Sequence, residues 1–277
     1  VSLVVFGFIV VSACIHVGWN LLLKGTAQRQ LSSWLAVAVS GLVPLAWQWA
    51  HIGRDMWFIA ALSALFQATY YLLLAYGYDH YDLGVLYPIA RGTAPLFAAL
   101  WAGIWLGDQL NLAGICAILC IAGGTIWVGI RNHDKHGKRV MPWLPVFVAL
   151  AISGYTIIDA FGVRQSGNPA AYYAVCMTCT AVAMAPLTLW QQRPRLSDIV
   201  RALPRASIIG ALSFASYLIV LWSYASTPVS YVAATREISI IIAGLVGWLW
   251  LKEPFGAART VGAIVMSLGV IILVVFG

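Results

Sequence analysis

Runs of about 20 apolar residues follow one another along almost the whole of this 277-residue chain, with only short polar interruptions. A bilayer core offers no water to an exposed N–H or C=O, so a lipid-embedded chain must be helical or a closed barrel. Here the apolar residues are continuous rather than alternating, which selects helices. Charged residues make up 9% of the chain and hydrophobic ones 62%, where a soluble domain carries about 25% charge. The expectation is an all-α integral membrane protein with about ten transmembrane helices. We place the spans at 2–24, 31–51, 56–77, 82–106, 110–130, 143–164, 169–190, 206–226, 229–251 and 256–276. The opening run has no basic segment ahead of it and reads as the first span rather than a removable leader.

The net charge of +7 points to topology, not to nucleic acid. Lys24, Arg29, Arg131, Lys135, Lys138, Arg139, Arg193, Arg195, Arg201, Arg205, Lys252 and Arg259 fall on one side of the membrane, and Arg54 and Arg164 on the other. Positive charge stays in the cytoplasm, so both termini are expected outside. The loops 131–142 and 191–205 carry most of this charge. His133 and His136 lie in the first of them, where a solvated turn is expected rather than a metal site. Cys14, Cys116, Cys120, Cys176 and Cys179 all lie in apolar runs and read as buried packing thiols, the C-x-x-C spacing of the last two notwithstanding. No cofactor or metal motif is present.

Two stretches share an unusual feature. "VLYPIARGTAPLFAALWAGIWLGDQL" from Val85 and "YVAATREISIIIAGLVGWLWLKEPF" from Tyr231 each place an arginine inside an apolar run. Aligning Arg91 with Arg236 also aligns Ala98 with Ala243, Leu100 with Leu245, Trp105 with Trp250, Asp108 with Glu253 and Gly124 with Gly269. Each half holds five spans, an odd number, so the second copy must enter the membrane from the opposite face. This is the inverted-topology repeat of many secondary transporters. The units are 1–130 and 143–277, joined by 131–142.

With these motifs in place, the chain resembles the EamA-type carriers of the drug/metabolite transporter superfamily. The resemblance rests on the paired halves, on "YPIARGTAPLF…W…LGD" and on "TREISII…W.WLKEP", and it covers essentially the whole chain. It implies a five-plus-five inverted repeat, a central cavity between the halves and alternating access.

Arg91 and Arg236 are the leading site candidates. A mid-span charge costs at least about 2.5–3.5 kcal/mol and faces a cavity or a partner. A guanidinium binds carboxylate or phosphate in a two-point fork; equally, either arginine can lock helices by pairing with Glu237 or Asp159. Arg236 and Glu237 project about 100° apart on a helix and cannot simply neutralise each other. Pro88 and Pro95 are expected to open the helix around Arg91. His16, Trp19 and Asn20 share a broad face of the first span. His16 is a candidate for proton coupling or a bonded core histidine, and Asp159 a proton carrier or an arginine partner. Tyr87, Tyr155 and Tyr231 are the tyrosines expected to line a cavity. Asp108 and Glu253 precede helices and read as caps.

The expected function is secondary transport of a small anionic or zwitterionic metabolite, such as an amino acid, organic acid or organophosphorus compound. The expected partners are that metabolite, the lipid bilayer and a proton as coupling ion. The expected location is a cell membrane, the bacterial inner membrane. A multidrug cation exporter is the rival within transporters; its small four-helix relatives use a glutamate in their first helix, and the first span here has no acid. A membrane-embedded lipid-modifying enzyme or a scramblase is the rival of another class. No H-E-x-x-H, G-x-S-x-G, Walker loop or clustered acidic metal motif supports an enzyme.

Overall fold

Each apolar run forms helix, because only intrahelical bonding satisfies its backbone in lipid. The computed structural model describes residues 2–80, 83–131, 143–249 and 257–276. The helices are α1 (Leu3–Lys24), α2 (Arg29–Gln48), α3 (Arg54–His80), α4 (Leu83–Trp101), α5 (Leu112–Arg131), α6 (Trp143–Ser166), α7 (Pro169–Gln192), α8 (Leu196–Ser226), α9 (Val229–Thr235), α10 (Ile238–Leu249) and α11 (Ala257–Phe276). A short 3₁₀ turn, Trp49–His51, ends α2, and a π-turn, Ala102–Leu106, ends α4. There is no strand among the described residues. Among the described residues, nine helical stretches are long and apolar enough to cross a membrane, with α9 and α10 together forming one of them, and Thr260–Phe276 is a shorter apolar helix. Large apolar side chains such as Phe58, Leu65 and Ile264 are exposed on the outside of the bundle, the surface a bilayer would cover.

Two boundaries differ from the sequence expectation. The charged stretch from Leu196 is not loop but the first turns of α8, which runs on through Pro204. Its start is closed by the Asp198 carboxylate accepting the Arg195 N–H at 3.0 Å. Ile199 and Ala202 then pack on the cluster around Leu31 and Leu35. High charge masked an amphipathic extension. The second difference is in the ninth span, expected to be continuous over 229–251, which breaks at Arg236–Glu237 into α9 and α10. The loop 131–142 lies outside the described residues, apart from Arg131 at the end of α5.

The helices pack in matched pairs. α1 packs on α8 and α3 on α6; α2 packs on α8 and α3 on α7; α4 packs on α6 and α1 on α10; α2 meets α7, and α5 meets α11. Exchanging the first five spans with the last five leaves this set of pairs unchanged. At the α5–α11 contact the two glycines aligned by sequence perform the same task. A Cβ on Gly124 would lie 2.8 Å from the Gly262 carbonyl, and one on Gly269 would lie 2.8 Å from the Ala117 carbonyl. Small residues let backbones approach this closely where lipid supplies no hydrophobic drive.

Candidate functional site

Arg91 stands mid-way along α4, and Arg236 stands at the break between α9 and α10. The same local device operates at both positions. In α4, Pro95 has no N–H, so the Arg91 carbonyl loses its normal donor four residues on. In the second half the N–H of Ile240, at the position equivalent to Pro95, bonds to Glu237 O at 2.9 Å instead, and Arg236 O takes the Ser239 N–H at 3.1 Å. Together with the Glu237 N–H on Ala234 O at 3.0 Å, these i→i+3 bonds tighten the turn. α4 remains one helix through both prolines, so the expected opening at Pro88 and Pro95 is confined to lost backbone bonding.

Arg91 is paired. Its Nη2 lies 2.9 Å from Glu237 Oε1 and its Nε donates to Oε2 at 3.3 Å, with both side chains about 95% buried. This is the two-point fork, made across the halves to a fixed acid. Arg236 differs: it rests over the ring of Tyr217, with Cζ 5.4 Å from the centroid, and no carboxylate of the described residues pairs with it. Such a cation–π contact offsets part of the desolvation of the charge. Among the described residues, two guanidiniums therefore meet one carboxylate.

Both arginines lie between two small cavities. The first is lined by Ser12, Ala13, His16, Arg91, Ser216, Arg236 and Ser239, and the second by Arg91, Ala94, Pro95, Ala98, Ile152, Thr156, Ala233, Arg236 and Glu237. Each encloses about 10 Å³, room for about one water. In the first, Ser12 and Ser216 exchange hydrogen bonds between α1 and α8: each hydroxyl donates to the other's carbonyl, at 2.7 and 3.0 Å. His16 Nε2 is buried without a hydrogen-bond partner among the described residues.

The remaining candidates separate. Trp19 stacks edge-on against His16, with centroids 4.9 Å apart, and packs toward α2 and α8. The Asn20 amide donates to the His16 carbonyl at 2.7 Å within α1. Tyr155 is buried beside Ala90 and Ala94 of α4. Tyr231 packs against Gly114, with its hydroxyl 3.5 Å from Asn111, and lines neither cavity. The side chain of Tyr87 lies outside the described residues. Asp159 meets no arginine among the described residues; hydroxyl, amide and thiol groups surround it, among them those of Tyr172 and Tyr217. The serines of the first cavity were missed because a serine in an apolar helix carries no periodic signal of its own, and nothing in the sequence raised Tyr217 above the other tyrosines of the apolar runs.

Asp108 does cap a helix, but not the one that follows it. Gly107 takes φ +67°, a left-handed turn that suits glycine, and Asp108 Oδ2 then accepts the Val229 N–H of α9 at 2.6 Å. Its Oδ1 pairs with Arg164 at 3.3 Å, and Arg164 also donates to the Tyr224 and Thr227 carbonyls. Asn111 caps α5 through the Gly114 N–H. At the other end of α8, Arg205 donates to the Leu22 carbonyl at 2.8 Å. Glu253 lies outside the described residues. The cysteines are free thiols; Cys176 is buried, but Cys14 and Cys116 are exposed on the apolar surface, because their helices turn those positions outward. No group of three or more potential metal ligands occurs among the described residues.

A bundle of apolar helices with an arginine pair at its centre defines a multi-pass membrane protein with an internal polar site. Residues 141–275 match the EamA-like transporter family. A crystal structure of another protein, 13% identical, superposes with a TM-score of 0.72 over 97% of this chain and 96% of that one, a likeness of fold. No curated protein matches the chain. The family match, confined to the second half of the chain, is consistent with an EamA-type transporter of the drug/metabolite transporter superfamily.

Proposed function

We propose that the protein moves a small anionic or zwitterionic metabolite by alternating access, with the substrate bound between Arg91 and Arg236. The observation that carries this reading is Arg236, a guanidinium at a helix break beside a cavity, with no carboxylate pairing with it among the described residues. Glu237 offsets one positive charge of the pair, and a carboxylate or phosphate of the substrate offsets the other. Glu237 and the cavity serines are then available to an ammonium or hydroxyl group. The cavities are too small for a metabolite, so this conformation is closed around the site, and the helices must part to load it. The matched helix pairs support two five-span units, 1–130 and 143–277, rocking against each other about the site. We place the protein in a cell membrane, the inner membrane of a bacterium, since bacterial outer-membrane spans are barrels.

The test is thermal unfolding of the purified protein against amino acids, organic acids, organophosphorus compounds and lipophilic cations. Stabilisation by an anionic or zwitterionic compound is expected, weakened by salt and by esterification of the ligand. Arg91→Ala and Arg236→Ala should each abolish its counterflow in liposomes while the protein stays inserted. A screen in which only lipophilic cations stabilise overturns the proposal in favour of a multidrug exporter. Product formation from lipid without a gradient overturns it in favour of an enzyme.

A further inference from the structure

Asp159 of α6 is fully buried and lines neither cavity. Neutral donors from three helices surround it. Oδ1 accepts from the Tyr172 hydroxyl at 2.8 Å, from the Ser63 hydroxyl and, more weakly, from the Cys176 thiol at 3.6 Å. Oδ2 accepts from the Tyr217 hydroxyl and from the Gln67 amide at 3.3 Å. The titratable groups that bond it are thus Tyr172 and Cys176 from α7 and Tyr217 from α8, with Tyr224 of α8 also within electrostatic reach, while α3 contributes the neutral Ser63 and Gln67. The charged group that touches this cage is Arg236, over the face of the Tyr217 ring. Tyr217 therefore contacts both the buried acid and a guanidinium with which no carboxylate of the described residues pairs.

We propose that Asp159 is a reversible proton site, linked to the arginine site through Tyr217, and that the substrate anion and a proton are carried together. The proposal deepens the transport reading above and rests on it for the anion. Five donors meet two carboxylate oxygens with about four lone-pair sites between them, so the cage suits the ionised acid. When Asp159 takes a proton from hydronium, an O–H bond of that ion breaks, an O–H bond forms on the carboxylate and water is released, so one carboxylate oxygen changes from acceptor to donor. One donor of the cage must then turn away. Tyr217 shares Oδ2 with a single long amide contact, so its hydroxyl can reverse and accept from Asp159. That turn acts on the ring beneath Arg236. In the other direction, an anion at Arg236 brings a second negative charge toward the carboxylate and favours its protonation. By linkage, a proton on Asp159 favours the anion. The charge change of −1 from the anion is cancelled by +1 from the proton, so the loaded and empty centres carry the same net charge. Tyr217 is a positioning residue in this scheme.

Infrared spectroscopy of the full-length protein, with the proton as probe, tests the site. On acidification a carboxylic-acid carbonyl band should appear that Asp159→Asn lacks. Tyr217→Phe removes one donor to the carboxylate, and Arg236→Gln removes the positive charge beyond it; both keep Asp159. In each the acid band should persist to a pH about one unit higher than in the unmodified protein. These two variants read the same band should Asp159→Asn fail to fold. A missing acid band, a band that survives Asp159→Asn, or bands unmoved by both Tyr217→Phe and Arg236→Gln would overturn the proposal. The expected band shifts in a protein that no metabolite stabilises would leave the proton site standing and remove the anion from the scheme. A stabilising anion found without an Asp159 band would do the reverse.

Discussion

Glutamine at position 237 keeps the shape of the side chain and removes its charge, so it isolates what the carboxylate does. Glu237 Oε1 and Oε2 meet Arg91 Nη2 and Nε at 2.9 and 3.3 Å, and side-chain exposures are 6% for Arg91 and 4% for Glu237. Breaking a buried pair by removing one partner costs about 3–5 kcal/mol, because the other charge stays behind in a low-dielectric site. Here the cost should lie toward the upper end, since Arg236 adds a second positive charge at the same cavities. Reversible unfolding in detergent, followed by circular dichroism, measures it. The double variant Arg91→Met/Glu237→Gln removes the stranded guanidinium as well and should recover most of the loss. Glu237→Gln as stable as the unmodified protein, or a double variant worse than the single one, would refute the assignment of this pair as the lock between α4 and the α9–α10 break.

Two further expectations follow from the ends of the bundle. Asp108→Ala removes the cap on α9 and the partner of Arg164, and should lower stability by about 1–2 kcal/mol, measured in the same unfolding assay; an unchanged protein would reduce this contact to packing. With Cys14 and Cys116 first replaced, because both are exposed, a cysteine at Arg195 should resist an impermeant thiol reagent in intact cells. One at Arg54 should react, as the positive-inside arrangement requires; the reverse pattern would invert the topology.

Local chemistry settled much of this protein. Continuous apolar runs dictated helices, because a backbone in lipid must bond to itself, and a 145-residue offset between Arg91 and Arg236 disclosed a repeated pattern. The two glycines aligned by that offset, Gly124 and Gly269, each face a carbonyl across the α5–α11 contact. An arginine in an apolar run announced a partner, since desolvating it alone is too costly. What the chain could not announce was which partner. Glu237 and Asp159 were equivalent as sequence, yet packing turned Glu237 to Arg91 and set Asp159 among hydroxyls from α3, α7 and α8. Those donors are 13 to 96 positions away along the chain, and no periodicity within one helix encodes a contact made among four. The break at Arg236–Glu237 was hidden for the same reason. An arginine and a glutamate are both acceptable helix residues, and the turn tightens only where Glu237 reaches across to Arg91 on a helix from the other half of the molecule.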